Sequence, residues 1–165
     1  MIDVGASTGG FTDCLLQHGA ARVIAVDTGY GQIDLRLRQD ARVCLLERTN
    51  ARYLKAEQVA EPVDVVTMDV SFISATLVLP AVVAAAFSGS ERKGKQIIVL
   101  VKPQFEVGRE RVGKGGIVRD KAAQADAVKK VSAKLAELGC CRTDVTESPI
   151  LGAEGNREFL LYGIF

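Results

Sequence analysis

The chain has 165 residues, of which 48% are hydrophobic and 25% charged, and a formal net charge of +1 at pH 7. That length supports one domain with a full core. A net charge this small excludes recruitment of nucleic acid by global charge, so any such partner must be held by a local patch. No apolar stretch free of charge reaches the roughly 20 residues that span a bilayer; the longest, Ile73 to Phe87, is shorter and contains Pro80. The N-terminus lacks a basic region followed by an apolar block, so no signal peptide is expected. Cys14, Cys44, Cys140 and Cys141 show no CxxC spacing, and with apolar neighbours they read as buried thiols of a reducing cytoplasm. No metal is expected.

Strand and helix patterns then alternate along the chain. Ile2 to Val4 is the end of a first strand, and Gly10 to His18 is a helix stopped by Gly19. Arg22 to Asp27 reads as a buried strand, the region from Asp34 to Gln39 as a short helix, and Val43 to Leu46 as a third strand. Lys55 to Ala60 reads as helical up to Glu61-Pro62, and Val63 to Met68 as a fourth strand closed by Asp69. Ser71 to Phe87 is an apolar helix, and Gln96 to Val101 a fifth strand ending at Lys102-Pro103. Gln104 to Arg119, with four glycines and mixed charge, predicts a mobile loop. Lys121 to Leu138 predicts a long amphipathic helix capped by Gly139. Strands near Cys140 to Glu147 and Arg157 to Phe165 have no helix between them and so pair antiparallel. Such alternation makes an α/β fold, a mostly parallel sheet with helices on both faces and a C-terminal antiparallel strand pair. This is the layout of Rossmann-like methyltransferases.

In such a sheet, ligands sit beyond the carboxyl ends of the strands, where the strand order reverses. The polar residues of this chain fall at those ends. Asp3 closes the first strand, and Gly5, Ala6, Ser7, Thr8, Gly9 and Gly10 form a loop that leads through Phe11 into a helix. Glycines there let a ligand approach bare backbone, next to the unpaired N–H groups of a helix start. Asp27 ends the second strand, where an acid can accept both hydroxyls of a ribose. Thr49 and Asn50 follow the third strand and can reach an adenine edge; Asp69 follows the fourth and Lys102 the fifth. A dinucleotide site would carry GxGxxG, and no glycine stands two places after Gly5. The loop is also wider and richer in hydroxyls than a pyrophosphate clamp. S-adenosylmethionine is therefore the expected cofactor.

Five blocks carry a closer likeness: Asp3-Val-Gly-Ala-Ser-Thr-Gly-Gly-Phe-Thr-Asp-Cys14, Asp69-Val-Ser-Phe-Ile73, Val101-Lys-Pro-Gln-Phe-Glu106, Gly113-Lys-Gly-Gly-Ile-Val-Arg-Asp120 and Gly155-Asn-Arg-Glu-Phe159. Together they resemble the TlyA family, whose members carry the names hemolysin and ribosomal RNA 2′-O-methyltransferase. The resemblance covers essentially the whole chain. It implies one FtsJ-like methyltransferase domain over residues 1–165, using S-adenosylmethionine on ribosomal RNA or ribosomal subunits. It also implies a Lys-Asp-Lys-Glu tetrad, whose aspartate falls on Asp69, second lysine on Lys102 and glutamate on Glu158. The first lysine would lie upstream of Ile2, as would the family's small N-terminal RNA-binding module, so the chain is expected to be truncated within its first strand.

Methylation of a ribose hydroxyl is an in-line displacement that needs a base and close alignment. Lys102 is the expected base, with Asp69 and Glu158 orienting it. On pattern alone, Glu158 reads as a solvent-facing residue of an antiparallel strand, and Asp69 as a cap for the following helix. Phe11, Phe72 and Phe105 default to core packing, although one of them could stack on a base. His18 reads as structural, in the last turn of a helix. Arg109, Arg111, Lys114 and Arg119, separated by glycines, form the local basic patch expected to close on RNA phosphates. A cofactor-binding domain inactive as truncated, or a membrane-active hemolysin, stand as the alternative readings.

Overall fold

The computed structural model describes residues 1–88 and 92–165. One seven-stranded sheet runs in the order β3-β2-β1-β4-β5-β7-β6. Its strands are β1 (Ile2–Val4), β2 (Val23–Val26), β3 (Val43–Leu46), β4 (Val65–Met68), β5 (Gln96–Val101), β6 (Arg142–Glu147) and β7 (Phe159–Ile164). The first five are parallel; β7 runs antiparallel between β5 and β6. The chain steps outward from β1 to β3 and returns to the far side of β1 with β4. The strand order therefore reverses between β1 and β4.

Helices α1 (Gly10–Gln17), α2 (Leu35–Gln39), α3 (Ala75–Ala86), α4 (Pro103–Glu106) and α5 (Lys121–Glu137) complete the framework. The central strands β1 and β2 are buried throughout because both faces are covered, β2 as an unbroken apolar run and β1 as Ile2 and Val4 around the buried Asp3. On one face Leu16 of α1, Leu37 of α2 and Ile33 just before α2 pack against Val23 and Ala25. On the other, α3 and α5 build the main core with Val78, Leu79, Val82, Val131 and Leu135. Each fully buried Leu or Val contributes roughly 1.5–3 kcal/mol. In α5 the apolar stripe is Ala123, Ala127, Val131 and Leu135, four residues apart and all buried. Its start is fixed by Asp120, whose carboxylate accepts the N–H groups of Ala122 and Ala123.

Several expectations are corrected. Lys55 to Ala60 forms only a single 3-10 turn at Ala56–Gln58. The helix expected from Ser71 begins at Ala75, capped by Ser74, so Asp69 is not a helix cap. The segment expected to be a mobile loop contains α4 and 3-10 turns at Arg109–Arg111 and Lys114–Gly116. It is fastened at Val118, 2% exposed, whose N–H donates to Asn156 Oδ1 and whose carbonyl accepts from Gln124 Nε2. Of the four cysteines, only Cys140 is buried; Cys44 is half-buried, while Cys14 and Cys141 lie at the surface and all are free thiols. His18 is structural as read, its Nδ1 lying 2.8 Å from the Cys14 carbonyl oxygen. Among the described residues no helix is long and apolar enough to cross a membrane.

Candidate active site

Strand register explains which side chains meet. β5 and β7 pair from Gln96↔Ile164 to Val101↔Phe159. The residue that follows Val101 and the one that precedes Phe159 therefore emerge side by side, and these are Lys102 and Glu158. β4 flanks β5 in parallel, with Met68 opposite Val99, and delivers Asp69 to the same edge. Lys102 Nζ lies 2.5 Å from Asp69 Oδ1 and donates to Ser71 Oγ at 2.8 Å. Exposure is 13% for the lysine side chain and 33% for the aspartate. The amine is recessed but reachable.

Glu158 is 6% exposed, which overturns its reading as a solvent-facing strand residue. Burial pushes its carboxyl above the ordinary range; the Lys102 charge and a 3.4 Å bond from Gln104 Nε2 oppose the rise, and Asp69 adds to it. Gly152 lies against this carboxylate so closely that a Cβ would sit 2.0 Å from Glu158 Oε1. Gln104 Oε1 is buried and accepts no hydrogen bond among the described residues.

Beside this cluster, a crevice of about 340 Å³ opens where the strand order reverses. Its walls include Gly5, Ser7, Asp27, Gln32, Thr49, Asn50 and Asp69 through Ile73. Gly5 has φ +80°, and a Cβ there would stand 2.1 Å from the Asp69 carbonyl oxygen. Only glycine lets the first loop press against the end of β4. Asp27 accepts the Ser7 N–H at 2.8 Å and the Gly29 N–H at 2.7 Å, one on each oxygen. Each oxygen keeps a second lone pair. Asn50 Oδ1 caps the next turn by accepting the Arg52 N–H at 3.0 Å, and Thr49 Oγ1 donates to the Glu47 carbonyl at 3.1 Å.

Not every residue expected at this site comes to it. Asp3 is fully buried and accepts hydrogen bonds from Thr12 Oγ1 at 2.7 Å and Thr67 Oγ1 at 3.0 Å. It braces β1 against α1 and β4, and its burial raises its pKa above the ordinary range. Ala6 belongs to the core under α1 and α2. Thr8, Gly9 and Gly10 line a separate open cavity of about 550 Å³ between those helices. Phe11 is half-buried on α1 and lines neither space.

The basic patch divides in the same way. Arg109, Lys114 and Arg119 are exposed. Arg111, expected to face phosphates, instead bonds Asp126 at 2.8 Å and Asp120 at 3.4 Å and ties the segment to α5.

Aromatic surface is what sequence reasoning missed. Phe72 is 91% exposed, stands in the left-handed region at φ +64° and lies 5.3 Å, centroid to centroid, from Phe105. Core packing was the wrong default for it. Tyr30 and Tyr53, each 66% exposed, carry Arg48 and Arg52 over their rings at 4.4 and 5.8 Å. Tyr30 and Arg48 are 18 positions apart in the chain, so no local spacing marks the pair; the Arg52–Tyr53 dipeptide just after Asn50 was a legible signal.

Residues 1–165 match the FtsJ-like methyltransferase family over their full length. The chain belongs to that family. This FtsJ-like chain is 49% identical over 161 residues to the 16S/23S rRNA (cytidine-2′-O)-methyltransferase TlyA of Mycobacterium tuberculosis, covering 98% of the chain. It spans about 58% of the length of that relative. A solved structure from Streptococcus thermophilus that bears the name hemolysin superposes with a TM-score of 0.89 at 43% identity, over 99% of this chain and 57% of that one. An O-methyltransferase of Bacillus cereus, solved with SAH, shares the fold at TM-score 0.60 and 17% identity, over 99% of this chain and 73% of that one. The expected kinship with proteins named TlyA and hemolysin therefore holds, as does the Rossmann-like methyltransferase architecture.

Proposed function

We propose that this FtsJ-like chain is the catalytic domain of an S-adenosylmethionine-dependent ribosomal RNA 2′-O-methyltransferase. One observation carries the reading: Asp69 is at once a wall of the crevice and the partner of the recessed Lys102 amine. Cofactor space and base are thereby joined through a single side chain. The crevice volume falls within the roughly 300–1,000 Å³ of small-molecule sites, and its chemistry fits a nucleoside. Asp27 offers acceptor lone pairs to ribose hydroxyls, Thr49 and Asn50 lie where an adenine edge would, and Gly5 and Ser7 supply close backbone. S-adenosylmethionine, when bound there, supplies an electrophilic methyl on sulfur.

The remaining chemistry is the protein's own. With Lys102 as the free amine, its own proton released to solvent, a ribose 2′-hydroxyl placed at Nζ would give its proton to that amine while its oxygen bonds to the methyl carbon, the carbon–sulfur bond breaks and a neutral thioether leaves. Asp69 and Ser71 hold the amine in position, at 2.5 and 2.8 Å. Glu158, nearly sealed from water, would stabilise electrostatically the positive charge that forms on Lys102. A ribose buried in a stacked strand cannot enter this recess, so the target nucleotide must swing out. Phe72, exposed at the mouth, offers a face on which its base can stack. Arg109, Lys114 and Arg119 on one side, with the Tyr30–Arg48 and Arg52–Tyr53 pairs at the ends of β2 and β3 on the other, provide cations for the RNA backbone.

The test is transfer of labelled methyl from S-adenosylmethionine to isolated ribosomal subunits. Ribose methylation shows as a linkage that resists alkaline cleavage, since the blocked 2′-oxygen cannot attack the neighbouring phosphate. Label on a base, or cofactor binding without transfer, would refute the proposal.

A further inference from the structure

We infer that Glu106 is a positioning residue that sets the separation of Asp69 and Lys102, a role whose catalytic consequence rests on the methyl-transfer reading. Its carboxylate is not part of the proposed proton path, yet it is nearly sealed, with 2% of the side chain exposed. Both oxygens are engaged. Oε2 accepts from Ser74 Oγ at 2.5 Å and pairs with Lys130 Nζ at 3.2 Å; Oε1 accepts the Ala75 N–H at 2.6 Å. Lys130 Nζ also donates to the backbone carbonyl of Glu106 at 2.7 Å.

These bonds join two particular loops. One leaves β4 at Asp69 and reaches Ser74 five residues later; the other leaves β5 at Lys102 and reaches Glu106 four residues later. Each loop is thus held at its near end by the β4–β5 ladder and at its far end by the Glu106 carboxylate. The Asp69–Lys102 pair lies inside that closed frame. The Phe72–Phe105 ring contact bridges the same two loops midway. Lys130 anchors the staple to α5, whose Ala127, Val131 and Leu135 are buried in the main core. Glu106 also supplies an acceptor to the first N–H of α3, which a helix start lacks on its own. If capping were its whole role, its loss would cost stability alone. A frame that sets reacting distances predicts a loss of turnover as well, because a displacement of about 1 Å costs on the order of 100-fold.

The experiment compares Glu106→Ala, Glu106→Gln and Ser74→Ala with the unaltered chain, well below each melting temperature. For Glu106→Ala, kcat is expected to fall at least about tenfold, with KM for RNA and Kd for S-adenosylmethionine within about twofold. Glu106→Gln, which keeps an acceptor for Ala75 and a polar partner for Ser74, should recover most of the rate. Ser74→Ala should fall between the two. A crystal structure of Glu106→Ala supplies a readout independent of turnover: the 2.5 Å Lys102–Asp69 contact should open. Should Glu106→Ala not fold, the same structure and rates taken on Ser74→Ala decide. A folded Glu106→Ala with unchanged kcat, or with the Lys102–Asp69 contact intact, overturns the inference. Absence of turnover in the unaltered chain counts against the methyl-transfer reading instead, and the structural readout then decides on Glu106.

Discussion

Replacing Lys102 with arginine separates its role as a base from its role as a charge. The amine sits 2.5 Å from Asp69 Oδ1 and 2.8 Å from Ser71 Oγ. Arginine keeps the cation and can reach the same carboxylate, but it does not lose its proton in a protein. A positioned general base contributes about 10²–10⁴ in rate, which corresponds to about 2.7–5.5 kcal/mol of transition-state stabilisation. Lys102→Arg should therefore lower kcat at least about 100-fold while leaving stability near its original value. Lys102→Ala should lose as much rate, and also a stabilising pair. Water reaches a third of the Asp69 side chain, so that added cost should lie near 1 kcal/mol, as for an exposed pair, rather than the 3–5 kcal/mol of a sealed one. Lys102 does not line the crevice, so calorimetry should give a Kd for S-adenosylmethionine within about twofold for both variants. Labelled methyl transfer under single-turnover conditions reads the rate. If Lys102→Arg keeps more than about a tenth of the rate, proton abstraction by this amine is refuted.

Glu158→Gln should raise the melting temperature relative to the unaltered chain as pH increases, even though it removes activity. Burial raises the Glu158 pKa, so the folded state holds its proton longer than the unfolded chain, and stability falls as pH rises from the unfolded value through the folded one. Glutamine abolishes that slope, whereas Asp3, raised by burial as well, titrates in both proteins and cancels from the difference; a difference independent of pH would contradict the assignment. Gly5→Ala must adopt φ +80° with a Cβ placed 2.1 Å from a backbone oxygen, so denaturant titration should show a loss of about 2–4 kcal/mol. A loss below about 0.5 kcal/mol would mean that the β1 and β4 loops are not held in contact. Reversing Arg109, Lys114 and Arg119 to glutamate should weaken RNA binding and flatten its salt dependence, each lost phosphate contact lowering the log–log slope by roughly 0.7–0.9. Folding should be unaffected, because these side chains are exposed; an unchanged slope would remove the patch from the interface.

What the sequence showed and what it hid divide along a physical line. The β2 run Val23–Val26 and the α5 stripe at Ala123, Ala127, Val131 and Leu135 are local periodicities, and both stand where the pattern put them. Asp69 and Lys102 were legible because a polar residue directly after a buried strand has few places to go. Glu158 was not legible from pattern: its carboxylate is covered by Gly152, folded back on it by the β6–β7 turn, and by Gln104, far away in sequence and brought in by α4. Arg111 and Arg109 look equivalent in the chain, two residues apart among glycines. The approach of Asp126 on the next helix and of Asp120 at its start commits Arg111 to pairs within the fold. Composition made the segment after Lys102 look mobile, because the bonds that fasten it run to Asn156 and Gln124, and spacing carries no trace of them.

The placement of β7 makes a further demand on the fold. A slip of one residue against β5 would turn every β7 side chain to the opposite face and would set Arg157 or Phe159 beside Lys102 in place of Glu158. An edge strand resists such a slip through one ladder only. Here β7 lies between two, pairing Val101↔Phe159 on one side and Glu147↔Phe159 on the other, each continuing to Ile164. β6 is exposed along most of its length and adds little to the core, so its contribution is the second ladder. The Gly152 N–H bond to the Asn156 carbonyl and the Ser148 N–H bond to that of Glu158, both 2.8 Å, close the turn that feeds β7. An outer strand that buries almost nothing thus has a definite function: it keeps a carboxylate opposite an amine.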